Sequence, residues 1–115
     1  MSDIERYMHQ AAVFTQKRRD DGRKFLIGAV GIRSDGVVVS ARNSPAADRT
    51  PEVHAESRLC GKLTPDSVVY VVRVAKDGSF AMAKPCKACE IKLKAAGVRR
   101  AYFTNFLGQI DFISF

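Results

Sequence analysis

Apolar residues recur along this chain with two different periods, and the changes of period mark out the elements. Ile4, Met8, Ala11 and Ala12 fall at helical spacing, which predicts an amphipathic helix from Asp3 to about Asp20. Ser2 or Asp3 can cap its start, and Lys17, Arg18 and Arg19 complement the dipole at its end. Asp20-Asp21-Gly22 stops it. Phe25 to Arg33 reads as a strand, Ser34-Asp35-Gly36 as a turn with the Asp-Gly hairpin signal, and Val37 to Ala41 as the return strand. Gly28 and Gly31 mark either close approach of another chain segment or tight packing of a helix on the sheet.

Arg42 to Thr50 is a polar loop. After the start signal Thr50-Pro51, the residues Val53, Leu59, Cys60 and Leu63 form an apolar stripe that predicts a helix from Glu52 to Leu63. Val68 to Ala75 is β-branched and nearly continuous, as in a central strand buried on both faces. Lys76-Asp77-Gly78-Ser79 turns the chain, and Phe80 to Ala83 is a short stretch. Cys86 to Ala96 is a helix closed by Gly97. Arg100 to Thr104 and Gln109 to Phe115 are strands on either side of a turn at Leu107-Gly108. The order α-β-β-α-β-α-β-β predicts an α/β fold of three layers, α/β/α. Its sheet has about five strands flanked by helices, with a C-terminal hairpin. The helices beginning near residues 52 and 86 flank one strand, so their starts can meet at one sheet edge.

Chemistry gathers at those two helix starts. His54-Ala55-Glu56 lies at one and Pro85-Cys86-Lys87-Ala88-Cys89 at the other. Cys86 and Cys89 stand three apart on a helix, where both sulfurs can reach one metal. Pro85 suits the position before a helix, and the positive helix end favours thiolate. With His54 they supply three zinc ligands, the number a catalytic zinc takes while leaving one position for water. Glu56 is two residues from His54, off its helix face, as suits a carboxylate that moves protons rather than binds metal. A structural zinc knot needs a fourth protein ligand. Only His9 and Cys60 remain, and neither has matching spacing.

Composition narrows the setting. A chain of 115 residues with 46% apolar and 27% charged residues reads as one globular domain over 1–115. No apolar run approaches the length that spans a bilayer, and the first residues lack a signal-peptide pattern. The expectation is a cytoplasmic protein with no membrane partner. Three cysteines, two in one Cys-x-x-Cys, do not suggest a disulfide framework. The formal charge of +7 suits phosphate-bearing partners and equally a solvated surface.

From Phe25 to about Thr104 the chain resembles the zinc-dependent cytidine/deoxycytidylate deaminase superfamily. The resemblance rests on His54-Ala55-Glu56 with Pro85-Cys86-Lys87-Ala88-Cys89. It extends to Ile27-Gly28-Ala29-Val30, Arg42-Asn43-Ser44-Pro45 and Ala95-Ala96-Gly97-Val98-Arg99-Arg100-Ala101-Tyr102. It implies a cytidine-deaminase-like sheet, Zn2+ on His54, Cys86 and Cys89, and Glu56 as proton shuttle. It also implies substrate contacts from Asn43 to the sugar and from Ala55 and the backbone near Lys84 to the base, with Phe25 a further substrate-binding residue. The residues after Asn43 are Ser44-Pro45, not the Asn-x-Glu of the nucleoside branch, while the final hairpin is closer to that branch. The implied reaction is hydrolytic deamination of a free cytosine nucleotide or nucleoside by a homo-oligomeric enzyme. A phosphate would be held by Arg99, Arg100, Arg49 or Arg42. The alternatives are a deaminase acting on single-stranded DNA or RNA, and a non-catalytic zinc module. The first needs a groove with stacking aromatics, and the chain has no Trp. The second has no need of Glu56.

Overall fold

The computed structural model describes residues 3–15, 26–43, 55–75, 79–105 and 107–115, apart from the side chains of Phe14, Thr15 and Ser57. Helix α1 (Asp3–Thr15) is followed by β1 (Leu26–Ile32), β2 (Val38–Arg42), α2 (Ala55–Cys60) and β3 (Val68–Val74). A two-residue strand β4 (Phe80–Ala81) precedes α3 (Lys87–Ala95), β5 (Arg100–Thr104) and β6 (Ile110–Ser114). The strands form one sheet in the order β2-β1-β3-β5-β6, with β4 paired to the end of β3. β3 and β5 run parallel, and the remaining pairs are antiparallel. None of the described helices is long and apolar enough to cross a membrane.

The two faces of the sheet follow from alternation along β3. Tyr70, Val72 and Val74 meet Met8 and Ala11 of α1, together with Leu26 and Val30 of β1. Val69 and Val71 point the other way, to Leu59 of α2, Leu93 of α3, and Ala101 and Phe103 of β5. With both faces covered, β3 cannot alternate apolar with polar, hence its continuous β-branched run. Full burial of Leu59 and Leu93 stabilises the helix-bearing face by roughly 1.5–3 kcal/mol each.

Turns sit where the sequence places them. Gly36 takes a left-handed φ of 86°, and the Gly36 N–H donates to the Arg33 carbonyl at 2.9 Å. Asp35 accepts from the Val37 N–H at 3.1 Å, which with the Arg33 guanidinium holds its carboxyl below the usual range. At the end of α3, Gly97 has φ 84°. The Val98 N–H reaches the Leu93 carbonyl at 3.1 Å and the Gly97 N–H the Lys94 carbonyl at 3.0 Å, a Schellman closure. A Cβ on Gly97 would lie 2.9 Å from the Pro65 Cα. Gly31 is explained by helix-side packing: a Cβ there would lie 2.6 Å from Leu63 Cδ2.

One boundary is corrected. α2 ends at Cys60, not Leu63, because the chain turns at Gly61. The Lys62 and Leu63 N–H groups bond back to the Leu59 and Cys60 carbonyls at 2.8 and 3.3 Å. Leu63 remains apolar for another reason, its contact with the sheet at Gly31. The sheet agrees with the expected five or so strands along its path, with the two-residue β4 as a sixth paired to β3. The predicted end of α1 beyond Thr15, and residues 44–54 with the predicted start of α2, lie outside the described residues.

Candidate active site

Strand direction decides which residues can share a site. β1 is antiparallel to both β2 and β3, and β5 is parallel to β3, so β2, β3 and β5 all end at one end of the sheet. α2 leads through a short turn into the start of β3, so its own start lies back toward that same end. α3 begins after β4, beside the end of β3, and finishes at the start of β5. The two helices touch each other. The starts of α2 and α3 and the end of β2 therefore gather where the parallel strands end.

Cys86 is the N-cap of α3, with extended backbone at φ −67° and ψ 166°. Its carbonyl accepts the Glu90 N–H at 2.9 Å, the first bond of the helix. Cys89 then falls on the third helical position. Cys86 is exposed and Cys89 is fully buried, so the pair spans from solvent to core at one helix start. The approach to Cys86 is pinned by Thr104. Its Oγ1 donates to the Ala81 carbonyl at 2.5 Å, and its own carbonyl accepts the Ala83 N–H at 2.8 Å. Thr104 is only 2% exposed. Sequence reasoning passed over it because a threonine closing a strand resembles any other β-branched residue.

Ala55 and Glu56 open the described part of α2 and are both buried. Glu56 is 4% exposed, and its Oε1 is shut off from solvent. A carboxylate so placed requires compensation by hydrogen bonds or a cation. The Cys60 thiol, one turn on, is pushed up by burial, against the pull of Lys92 of α3 and with a further push from Glu56. The α2–α3 seam thus brings a carboxylate, a thiol and an ammonium within electrostatic reach. Asn43 follows β2 directly and is 3% exposed. It extends the ladder with Ile27, accepting the Ile27 N–H on Oδ1 at 2.9 Å and donating its own N–H to the Ile27 carbonyl at 3.1 Å. This long-range bond replaces the local turn that an Asn in a loop would suggest. Lys84 is exposed, two residues before Cys86.

His54 and Phe25 lie outside the described residues, as does Arg49. Among the described residues no three His, Cys, Asp or Glu side chains form a metal-holding group, as expected where the third candidate donor is His54. The donor chemistry present fits zinc, which takes thiolate ligands: two thiols stand at one helix start. The proposed phosphate cluster is not one cluster. Arg99 just before β5 and Arg100 at its start lie at the end of the sheet opposite the cysteines, where Arg99 lines a hollow with Asp66, Tyr7 and Tyr70. Parallel pairing of β5 with β3 puts them there. Of the described candidates, Arg42 alone stands at the site end, next to Asn43.

The family model for the cytidine and deoxycytidylate deaminase zinc-binding region matches residues 1–105. The chain belongs to this family. The family fixes the cofactor as Zn2+ and the chain as a cytidine deaminase-type enzyme. Its fold is also that of the cytidine deaminase from Burkholderia pseudomallei, with a TM-score of 0.65 at 20% identity, over 99% of this chain and 93% of that one. Comparison with curated proteins finds no match.

Proposed function

We propose that this deaminase acts on a free cytosine nucleoside or nucleotide, replacing the ring amino group with oxygen from water and releasing ammonia. The observation that carries the reading is the burial of Glu56 on α2, at the sheet end where α3 presents Cys86 and Cys89. His54, Cys86 and Cys89 hold the zinc. Zinc held there supplies the Lewis acidity that makes hydroxide available at neutral pH. Glu56 takes a proton from the attacking water and delivers it to the departing amine, which leaves as ammonia. Burial keeps this carboxylate among few competing waters. Asn43, fixed by the bond from the Ile27 N–H to its Oδ1, contacts a sugar hydroxyl. The Ala55 N–H and the backbone near Lys84 contact the base, and Phe25 is a further substrate-binding residue.

The free-substrate reading is favoured over a polynucleotide one by the placement of aromatics. Of the exposed rings among the described residues, Phe112 and Phe115 stand on or just after β6, at the sheet edge away from α2 and β2, and Phe80 of β4 lines a hollow with Met8, His9 and Val72 on the α1 side of the sheet. They do not form a stacking platform beside the cysteines. The antiparallel β5–β6 hairpin is closer to the nucleoside-level branch, whereas the residues after Asn43 depart from that branch's Asn-x-Glu.

The test is a product assay on zinc-loaded protein. The substrates are deoxycytidine, its mono- and triphosphates, the ribose forms and a cytosine-containing single strand. Conversion of one free substrate is expected, with kcat reduced about 10²–10⁴-fold in Glu56→Gln. Conversion of the strand alone, or full turnover by Glu56→Gln, overturns the reading.

A further inference from the structure

The two edges of the sheet are treated differently. In β2 the ladder bonds to β1 fall on Val39, Ala41 and Asn43, as the bonds between Arg33 and Val37 and between Asn43 and Ile27 show. The backbone groups of Val38, Ser40 and Arg42 therefore face outward. Two of those outward carbonyls are occupied by α2. Lys62 Nζ donates to the Ser40 carbonyl at 2.7 Å, and Arg58 Nη1 to the Arg42 carbonyl at 3.1 Å. Cations laid along an edge strand are a standard defence against pairing with another chain.

Among the described residues no such bond is seen on the outward carbonyls of β6, the other edge, where the Arg100 guanidinium instead lies 4.6 Å from the Phe112 ring centroid. The Asn105 N–H bonds to the Gln109 carbonyl and the Phe115 N–H to the Arg99 carbonyl, so the inward residues are 109, 111, 113 and 115. Ile110, Phe112 and Ser114 turn their backbone outward. The only charge on β6 is Asp111, on a chain of formal charge +7. Ile110 and Phe112 are 39% and 50% exposed. Phe112 also ends an aromatic ladder. Tyr70 stacks on Tyr102 at 5.2 Å and Tyr102 meets Phe112 at 5.8 Å, each from paired positions on adjacent strands. The ladder stops at this half-exposed ring, with the Arg100 guanidinium against it.

We propose that β6 is a self-association strand, at which a second copy of this chain pairs its own β6 antiparallel about a twofold axis through Phe112. The occupant follows from the edges. β2 is blocked by Lys62 and Arg58, so head-to-tail joining of β6 to β2 is disfavoured, and β6 is left to pair with itself. Antiparallel self-pairing at this register sets Phe112 opposite Phe112, and Ile110 opposite Ser114. That closes a dimer rather than a fibre. It continues the aromatic ladder across the axis and never sets Asp111 opposite its copy. One local bond competes: the Phe112 N–H donates to Asp111 Oδ1 at 2.8 Å. On pairing, that N–H passes to the partner's carbonyl and the carboxylate is left to water.

Sedimentation of zinc-loaded protein from about 1 to about 300 μM tests this, and a dimer with a dissociation constant on the order of 1–100 μM is expected for so small an interface. Phe112→Lys and Ile110→Lys are each expected to weaken association at least tenfold in protein that remains folded. Val38→Lys on the blocked edge leaves it unaltered. Hydrogen-bonded antiparallel partners have Cα atoms about 5.5 Å apart, within disulfide reach. Mild oxidation is therefore expected to link Phe112→Cys, and not Ile110→Cys, into a dimer absent from the wild type. A monomer at every concentration overturns the proposal. So does a dimer that survives both lysine variants, one that is lost with Val38→Lys, or linkage through Ile110→Cys instead.

Discussion

Replacing Thr104 by valine tests whether the end of β5 sets the approach to the cysteines. Valine keeps the shape and β-branching and removes only the donor to the Ala81 carbonyl at 2.5 Å. The backbone bond from Ala83 to the Thr104 carbonyl remains. One net hydrogen bond is worth about 0.5–1.5 kcal/mol, and a carbonyl left poorly satisfied raises the loss toward about 3 kcal/mol. Unfolding entropy of about 2.1 cal/mol/K per residue gives this chain about 0.24 kcal/mol/K, so 2 kcal/mol corresponds to a fall of about 8 °C in Tm. The metal-free form is the one to melt, because bound zinc would add its own linkage. Zinc affinity, measured by competition with a chromogenic chelator, is expected to fall roughly tenfold, in the range seen when groups that orient metal ligands are lost. Thr104→Ser keeps the hydroxyl and recovers most of both losses. If Thr104→Val melts within about 2 °C of wild type and binds zinc as tightly, the clamp has no bearing on the cysteines and the reasoning fails.

Two further outcomes follow from the fold. Gly97→Ala forces an L side chain into a left-handed φ of 84° and against the Pro65 backbone. A loss of roughly 2–4 kcal/mol is expected in urea unfolding, and a loss under about 0.5 kcal/mol would contradict the Schellman assignment. The Tyr70 hydroxyl is pushed up by burial, with Tyr102, Tyr7 and Asp3 adding to the shift against Arg99. The unfolded chain therefore releases this proton first, at an ordinary pKa of about 10. Stability from this group is intact below that pH and declines as pH rises toward the folded-state pKa. Tyr70→Phe should flatten the alkaline decline in Tm, and an unchanged slope would count against the assignment.

Local chemistry made much of this readable in advance. Asp35-Gly36 fixes the first hairpin, Gly97 closes α3, and the unbroken β-branched run of β3 marks the centre of the sheet. Pro85-Cys86 announces a helix start without help from the rest of the chain. What stayed hidden depends on contacts between distant segments. Leu63 keeps the helical spacing but serves the sheet at Gly31, so the stripe overran the helix. Asn43 reads as a loop residue, and its bond to Ile27 exists only once β1 and β2 have paired. Arg99 and Arg100 fall at the far end because β5 is parallel to β3, a choice that no residue within β5 records. Two residues of β4 are too few to carry a pattern.

The tyrosine ladder also determines what light can report about this molecule. The chain has three tyrosines and no tryptophan, and Tyr7, Tyr70 and Tyr102 form one continuous stack on the face covered by α1. Tyr70 and Tyr102 lie within 8° of parallel at 5.2 Å. Near-ultraviolet dichroism and intrinsic emission are therefore essentially one coupled signal from one side of the sheet. They follow the docking of α1, whereas events at the cysteine-bearing helix start, across the sheet, pass largely unseen. An optical melt of this protein records when the first helix lets go.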